Sequence, residues 1–272
     1  MSLRIQNNVE AFNAHRQLLG TGREMSKSME RLASGYRINR ASDDSAGLAI
    51  SEKLRAQIGG LQQAQRNAQD AVSLVQTAEG AVSEVHAMLG RVRDLAVQFN
   101  NGTLSASDKA AITAEVAQLC AEISRIGSQT KFNGISLLTG GAAITFQVGA
   151  DDSQTLSVNA RNLFGAGAAS YDIDSALFTF SGTVSLASID SAIANVSTAR
   201  SSFGSVQNRL DHTLNNLASY EENLQSSESR IRDVDMASEM VQFTKYQILQ
   251  QAGTSMLAQA NAAPQSVLSL LR

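Results

Sequence analysis

The residues most capable of chemistry are spread along the chain without the spacing that a catalytic or metal site needs. The three histidines, His15, His86 and His212, lie far apart, and none has a second ligand at a zinc-binding interval. Cys120 is the single cysteine, so no disulfide can form within the chain. We interpret Cys120 as a small buried apolar residue and the histidines as ordinary surface or partly packed side chains.

The acidic pairs are also poor catalytic candidates. Asp43-Asp44 and Asp151-Asp152 are adjacent in sequence, whereas a catalytic dyad must flank its substrate. We expect Asp43 to cap a helix and Asp44 to lie in its first turn. The sequence also lacks a nucleophile elbow, a phosphate-binding loop and a zinc motif. We therefore predict no catalytic residues, no metal ligands, no cofactor and no enzymatic activity.

The composition favours a thin helical assembly. The chain of 272 residues has one proline, no tryptophan and only 5% aromatic residues, although wide cores usually contain large rings. The formal net charge of −3 argues against a nucleic-acid partner. Residues 246–271 carry no charge, but their many amide and hydroxyl side chains are costly in hydrocarbon. We therefore predict no membrane insertion.

A long apolar seam predicts the main helix. Steps of three and four residues visit only apolar positions, namely Leu61, Ala64, Ala68, Ala71, Val75, Ala78, Val82, Val85, Leu89, Val92, Ala96 and Phe99. This spacing is typical of coiled-coil packing. Asn100-Asn101-Gly102 should end the helix, and Thr103, Ser105 or Ser107 should cap a second one.

Two further segments repeat this spacing and suggest an antiparallel bundle. They contain Ile112, Val116, Leu119, Ile123 and Ile126, and then Ile189, Ile193, Val196, Phe203, Leu210, Leu214, Leu217, Leu224 and Ile231. Between them, Lys131–Gly134 is a turn signal, and 144–148 and 154–158 alternate as a β-hairpin. The predicted fold class is mainly α, a long antiparallel coiled-coil bundle from both chain ends with a small β-hairpin in the middle.

The two chain ends are amphipathic. The N-terminal stripe contains Ile5, Val9, Phe12 and Leu19, and the C-terminal apolar stripe contains Leu249, Ala252, Met256, Ala260 and Ala263. A second C-terminal stripe of uncharged polar groups contains Gln247, Gln251, Thr254, Asn261 and Gln265. Isolated helices of this kind are marginal in water, so we expect them to order on self-association. The apolar C-terminal stripe is expected to pack on the N-terminal helix and on neighbouring subunits.

Several motifs, in this order, resemble the bacterial flagellins. They are ERLASGYRIN at 30–39, DDSAGLAI at 43–50, RVRDLAVQ at 91–98, KFNG at 131–134, ESRIRDVDM at 228–236 and MLAQAN at 256–261. The resemblance covers roughly residues 1–140 and 190–272, and long motifs in a fixed order rarely match by chance.

The resemblance implies a structural subunit that polymerises into the flagellar filament for motility. It implies an inner core domain of residues 1–43 and 234–272. It also implies an outer core domain of 44–188, with the hairpin and a short variable segment, and of 189–233. The chain is similar to compact flagellins with little or no variable outer domain. Such subunits are exported by the flagellar type III apparatus and reside in the extracellular flagellum.

The same resemblance implies partners and sites. The partners are the chain itself, as a helical homopolymer, an export chaperone at the C-terminal region, and the filament cap and hook-junction proteins. Arg37, Arg40, Asp43 and Asp44 would form a connector with contacts between domains and subunits. The uncharged C-terminal polar stripe would face the filament lumen, where fixed charges or apolar groups would trap passing subunits.

Host Toll-like receptor 5 is a further partner that the resemblance implies. Arg91, Leu95 and Glu115 occupy the positions that this receptor recognises, and Arg91 and Leu95 are four apart on one helix face. Gly90 stands where many receptor-activating relatives have Gln, which removes a contact and would weaken recognition. A surface role in filament packing is compatible with this interpretation.

Two other kinds of protein share parts of this pattern. A hook–filament junction protein, or another self-assembling coiled-coil structural protein, has similar ends but fewer of these motifs. A soluble signalling or adaptor coiled coil would carry charged termini, and the uncharged residues 246–271 argue against it.

Overall fold

The computed structural model describes residues 8–140, 142–158 and 184–270, without the side chains of 263–270. The helices are α1 (Val9–Ser34), α2 (Ser45–Phe99), α3 (Ala106–Gln129), α4 (Leu186–Arg232) and α5 (Met236–Leu270). The strands are β1 (Lys131–Phe132), β2 (Ile135–Ser136), β3 (Ile144–Gln147) and β4 (Thr155–Val158). The predicted fold class, mainly helical with a small hairpin in the middle, is confirmed.

The chain divides into two compact units. One, the terminal unit, comprises Met1–Ala56 and Asn223–Arg272, and the other, the central unit, comprises Gln57–Glu222. The domain assignment 1–43, 44–188, 189–233 and 234–272 stays a prediction. In the described part of the chain, no helix combines the length and hydropathy of a membrane span.

The core of the central unit is the predicted seam of α2. All twelve seam positions from Leu61 to Phe99 are buried. Residues of α3, such as Val116, and of α4, such as Val196 and Leu210, join the same core. The packing of α2 and α4 is antiparallel. Gln65, in the first half of α2, donates to Glu221 in the second half of α4 (2.8 Å). Arg93, near the end of α2, pairs with Asp190 near the start of α4 (2.7 Å).

Local signals set the ends of the helices as predicted. Ser105, one of the three candidate caps, accepts a hydrogen bond from the Asp108 amide, and the Asp108 carboxylate accepts one from the Ser105 amide. The Ser105 hydroxyl also donates to the Asp108 carboxylate (2.7 Å), and this bond, followed by the one from the Ser105 amide, lowers the pKa of Asp108. A capping box of this kind satisfies two backbone donors at once and fixes where α3 begins.

The hairpin predicted at 144–158 is present. β3 pairs with β4 in antiparallel register, from Ile144 opposite Val158 to Gln147 opposite Thr155. Asn67 on α2 donates to the Gln147 carbonyl (3.0 Å), which holds the hairpin on the bundle.

The turn signal at residues 131–134 closes a second hairpin that the sequence analysis did not predict. β1 pairs with β2 around Asn133 (φ 48°) and Gly134 (φ 82°). Asn-Gly tolerates these left-handed values and favours a tight turn. The weakly periodic segment at 160–188 lies outside the described residues as far as residue 183. The described structure resumes at Val184. The Val184 amide donates to the Asn100 side chain and the Val184 carbonyl accepts from it (3.1 Å each).

In the terminal unit, α1 and α5 form an antiparallel pair with coiled-coil spacing. Asn8 contacts Ala260 near one end, and Ser28 contacts Glu239 near the other. The residues that are at least half-covered on the facing sides are Ala11, Ala14, Leu18, Thr21, Met25, Ser28 and Leu32 on α1 and Glu239, Phe243, Tyr246, Gln250, Gly253, Leu257 and Ala260 on α5. Both sets alternate steps of three and four, as two-stranded packing requires.

Within the subunit, most of the C-terminal apolar stripe does not face α1. Leu249, Ala252 and Met256 are exposed, Ala260 alone is half-buried, and the side chain of Ala263 lies outside the described residues. The α1 residues Val9, Phe12 and Leu19 are exposed as well, and Ile5 is not described. The packing of this stripe in a filament, on the N-terminal helix and on neighbouring subunits, stays a prediction.

We predict that truncation of Leu89, which is fully buried at the centre of the seam, destabilises the central unit. Leu89→Ala should lower the free energy of unfolding by about 2–5 kcal/mol, and Leu89→Asp should prevent folding. Val97 on the same helix is 51% exposed, so Val97→Ala is the matched control and should change it by less than about 0.5 kcal/mol. Thermal and urea unfolding measure both, and a wild-type melt for Leu89→Asp would show that the seam does not carry the fold.

Candidate assembly interface

The segment that follows α1 contacts the segment that joins α4 to α5. Gly35 ends the helix with a left-handed φ of 74°, a conformation that suits glycine. The Val234 amide donates to the Gly35 carbonyl (3.0 Å), and the Arg37 amide donates to the Arg232 carbonyl (2.7 Å). The Arg37 guanidinium also donates to the Ile231 carbonyl (2.7 Å). These hydrogen bonds tie the start of the connector to the break between α4 and α5.

Tyr36 lies between two guanidinium groups at this meeting point. Arg232 is 4.9 Å and Arg55 is 5.6 Å from the ring centroid, and Arg55 also donates to the tyrosine hydroxyl (3.1 Å). Each arginine has a carboxylate partner, since Arg232 pairs with Glu52 (2.7 Å) and Arg55 with Glu228 (3.4 Å). Cation–π contact and ion pairing therefore act together here. The sequence analysis missed this cluster, although the three-residue interval between Glu52 and Arg55 indicates a shared helix face.

The cap of α2 is Asp44 and not the predicted Asp43. Asp44 caps α2, because its carboxylate accepts from the Gly47 amide (2.9 Å) just inside the helix. The prediction that Asp43 is the cap is wrong by one residue. Capping depends on backbone dihedral angles at the helix start, and two adjacent aspartates offer the same side chain for that role.

Asp43 instead closes the connector onto α1. Its carboxylate pairs with Lys27 (2.8 Å) and accepts from the backbone amides of Asn39 (3.3 Å) and Arg40 (3.2 Å). The hydrogen bond from Lys27, helped by the two amides, holds the pKa of Asp43 below its ordinary value despite partial burial. Arg40 pairs with Glu30 (3.0 Å) in a more exposed contact. The predicted connector residues thus all find partners within the terminal unit.

The terminal unit exposes most of the large apolar side chains that the described surface carries. On α1 they are Val9, Phe12, Leu19 and Met29, and on α5 they are Met236, Met240, Val241, Ile248, Leu249 and Met256. Phe12 is 66% exposed and Val241 70%. A concentration of exposed large apolar groups of this kind marks an interaction site. We call these ten residues the outer apolar faces.

The polar stripe of α5 is also open to solvent. Gln247, Gln251, Thr254 and Asn261 are exposed, and the side chain of Gln265 lies outside the described residues. The Thr254 hydroxyl donates to the Gln251 carbonyl of its own helix (2.8 Å). These side chains make no described contact with α1, so their placement in a lumen stays a prediction.

The residues predicted to contact a receptor are not all on the surface. Both Nε and Nη2 of Arg91 donate to one Glu115 oxygen (2.9 and 2.8 Å) in an exposed ion pair. Leu95 is 2% exposed and belongs to the core, so the expectation that it shares the Arg91 surface is wrong. The buried stripe of α2 is broad at this level because the helix packs against both α3 and α4, and a broad stripe includes Leu95 beside Ala96.

The histidines and the cysteine supply no reactive centre. Cys120 is buried, and burial raises the pKa of its thiol, which keeps it protonated and unreactive. His15 and His212 are exposed, and His86 is half-buried. Among the described residues, no group of three or more His, Cys, Asp or Glu side chains is placed to hold a metal ion.

Comparison with known proteins gives one consistent result. The model of the bacterial flagellin N-terminal helical region matches residues 5–143, and that of the bacterial flagellin C-terminal helical region matches 186–271. The flagellin of Halalkalibacterium halodurans is 49% identical and covers 98% of this chain and 99% of the relative. The flagellin of Bacillus subtilis is 46% identical and covers 99% and 100%.

A solved structure of a putative flagellar hook-associated protein from Vibrio parahaemolyticus is similar in fold. It superposes with a TM-score of 0.60 over 70% of this chain and 100% of that chain. Its sequence identity is 18%, so the likeness concerns the fold alone.

We predict that the Lys27–Asp43 pair gives the terminal unit acid sensitivity. The pKa of Asp43 is lowered in the folded chain, so its stabilisation is complete above the ordinary carboxyl pKa of about 4 and is lost as the pH falls through the lower folded value. Asp43→Asn should therefore reduce the free energy of unfolding at neutral pH and approach the wild type at about pH 2.

Urea unfolding across this pH range measures the difference between the two chains. Glu30→Gln, which weakens the more exposed pair with Arg40, is the control and should show a smaller effect. A wild-type-minus-variant difference that does not change with pH would contradict the prediction.

Proposed function

Because this chain belongs to the bacterial flagellin family, it is a structural subunit of the flagellar filament and not an enzyme, and we propose that it polymerises through the outer apolar faces of α1 and α5. Flagellin subunits self-assemble, so the principal partner is another copy of the same chain. The finer assignments of surfaces, export route and further partners are our proposals.

One observation carries the assembly proposal. Ten large apolar side chains of the terminal unit point away from the α1–α5 contact, and each is at least 42% exposed. The contact itself uses a mixture of small, polar and large apolar groups, such as Ala14, Gln250 and Leu257. Each buried large apolar side chain contributes about 1.5–3 kcal/mol, so covering these ten side chains in a polymer offers a large favourable free energy. A soluble adaptor would carry charged groups at these positions.

The same outer faces support an export partner. Before polymerisation the α5 residues Met240, Val241 and Ile248 are uncovered, and an uncovered apolar helix face invites aggregation. We propose that an export chaperone covers this face, that the chain passes through the flagellar type III apparatus to the cell exterior, and that filament cap and hook-junction proteins contact the same ends.

The connector has a second proposed role between subunits. Arg37, Arg40, Asp43 and Asp44 bond within the terminal unit, and Arg40 remains largely exposed at 70% of its side chain. We propose that Arg40 pairs with a carboxylate of a neighbouring subunit while Asp43 stays bound to Lys27. The internal contacts pre-order the connector, which reduces the entropy lost on association.

Hook–filament junction activity is the weaker alternative. The fold similarity to a hook-associated protein comes with 18% identity, whereas the flagellins match nearly the whole chain at 46–49%. The relatives therefore favour the filament over the junction.

Recognition by Toll-like receptor 5 is a second proposed function, supported by the exposed Arg91–Glu115 pair. A receptor would have to compete with this internal ion pair for both side chains. Leu95 is buried and would contribute only by supporting the helix. We expect weak recognition by this chain.

We predict that one substitution on an outer apolar face weakens polymerisation without unfolding the chain. Phe12→Ser removes a ring that is 66% exposed in the free subunit, so the melting temperature of the central unit should not change. The critical concentration for assembly should rise at least about tenfold, since a buried ring is worth more than 1.4 kcal/mol. Tyr220→Ser, at a 46% exposed site of the central unit, is the control.

Sedimentation and negative-stain electron microscopy measure assembly for both variants. Normal filaments of Phe12→Ser at the wild-type concentration would exclude this face from the polymer interface.

We also predict that Gln247, Gln251, Thr254, Asn261 and Gln265 line the filament lumen. Neutral hydrated side chains bind passing chains weakly, whereas charged or apolar walls would retain them. Gln251→Lys should therefore permit assembly of purified subunits but slow filament growth in cells. A filament map at side-chain resolution tests the placement, and finding these side chains packed between subunits would refute it.

A further inference from the structure

The single proline of the chain lies inside a helix. Pro264 is within α5, four residues after Ala260. Proline has no amide hydrogen, so the helical hydrogen bond that residue 264 would donate to the Ala260 carbonyl cannot form. A backbone carbonyl that loses its helical donor needs another one when water is restricted.

The opposite end of the chain supplies this donor. The Asn8 side-chain amide donates through Nδ2 to the Ala260 carbonyl at 2.7 Å, across 252 residues of sequence. The Oδ1 of the same side chain accepts from the Ala11 amide at 3.0 Å and so caps α1. One asparagine therefore uses its oxygen to start α1 and its nitrogen to bind the carbonyl that Pro264 leaves free.

The α1–α5 contact needs such a device because its seam specifies register weakly. The facing positions of both helices recur every seven residues, so a shift of one heptad again places facing positions opposite each other, and Ala11, Ala14 and Ala260 near Asn8 are small. The closest fit is at Gly253, where an added Cβ would lie 3.1 Å from Leu18 Cδ1. A polar contact at one position of a coiled coil is an effective way to select one register.

We propose that Asn8 and Pro264 form a register lock that aligns the two chain ends. Asn8 is the positioning residue and Pro264 creates its acceptor. A slip of one heptad would bring Asn8 to the carbonyl of Gly253, which already accepts the amide of residue 257 in an unbroken helical turn. The free carbonyl of Ala260 thus distinguishes one turn of α5 from the next. The inference rests on the proposed assembly through α1 and α5, because only aligned ends present both outer apolar faces together.

The capping and locking roles of Asn8 can be separated by substitution. Asn8→Asp keeps an oxygen that caps α1 but removes the amide donor. Pro264→Ala restores the backbone donor to Ala260 and makes the lock redundant. We expect Asn8→Asp to raise the critical concentration for filament assembly about fivefold in the wild-type background, as for loss of one hydrogen bond. In the Pro264→Ala background the same change should raise it less than about twofold.

Disulfide crosslinking reports the register directly in the full chain. In a Cys120→Ala background, the pair Leu18→Cys and Gly253→Cys crosslinks in the observed register. The pair Leu18→Cys and Tyr246→Cys crosslinks after the slip of one heptad that brings Asn8 to Gly253. Adding Asn8→Asp should shift crosslinking from the first pair towards the second. In the Pro264→Ala background the same change should shift it much less, because Asn8 then has no free carbonyl to bind.

Two outcomes would overturn the register lock. The first is an equal effect of Asn8→Asp with and without Pro264, because the amide would then act independently of the freed carbonyl. The second is an unchanged crosslinking ratio in Asn8→Asp. If the unsubstituted chain fails to polymerise, the proposed function is wrong, and the crosslinking ratio still decides the lock.

Discussion

The rest of the structure depends on the continuous apolar seam of α2. Its twelve positions from Leu61 to Phe99 are all buried, and the core residues of α3, α4 and the hairpins pack around it. Because the side chains are mostly alanine and valine, the helices pack closely without large rings. A seam of this regularity leaves one arrangement in which every apolar position is covered. Polar contacts such as Asn67 with the Gln147 carbonyl then place the β3–β4 hairpin on the bundle.

The terminal unit leaves many large apolar side chains outside its helix pair. Small residues such as Ala14 and Gly253 share the contact with larger ones such as Leu257, while Phe12 and Met256 face solvent. In an isolated molecule this pattern leaves the exposed groups without stabilising burial. In a polymer it is favourable, because the large groups become the contacts between subunits. Assembly and completion of the hydrophobic core are therefore the same physical event for this unit.

In the terminal unit, polar contacts define what the apolar packing leaves open, namely the path of the connector and the register of α1 against α5. At the end of α1, the ring of Tyr36 between Arg55 and Arg232 and the backbone hydrogen bonds of Arg37 fix the connector. Asp43 draws the connector onto Lys27. At the opposite end of α1, the Asn8 amide meets the Ala260 carbonyl. Directional contacts at both ends of α1 thus select one alignment of the helix pair, which the α1–α5 seam does not select by itself.

The sequence by itself determined the central bundle, the hairpin at 144–158 and the family. Repeats of three and four apolar residues have one simple structural solution when they continue for many turns, and the capping of α3 at Ser105 is a local signal. The site was only partly visible. Asp44 caps α2 in place of the predicted Asp43, since backbone angles choose between two identical side chains.

The tertiary structure alone decided which helix faces are covered. Leu95 lies four residues after the exposed Arg91, which predicts a shared surface. It is nevertheless buried, because α2 packs against both α3 and α4. On α5 the sequence offers two competing stripes, one of Leu249 and Met256 and one of Gly253 and Leu257. The first stripe is the more apolar, so the sequence favours it as the buried face. The approach of α1 selects the second, which continues the three-and-four spacing of Phe243, Tyr246 and Gln250 along α5. Contacts such as Asn8 with Ala260 join residues 252 positions apart, and no local pattern encodes that distance.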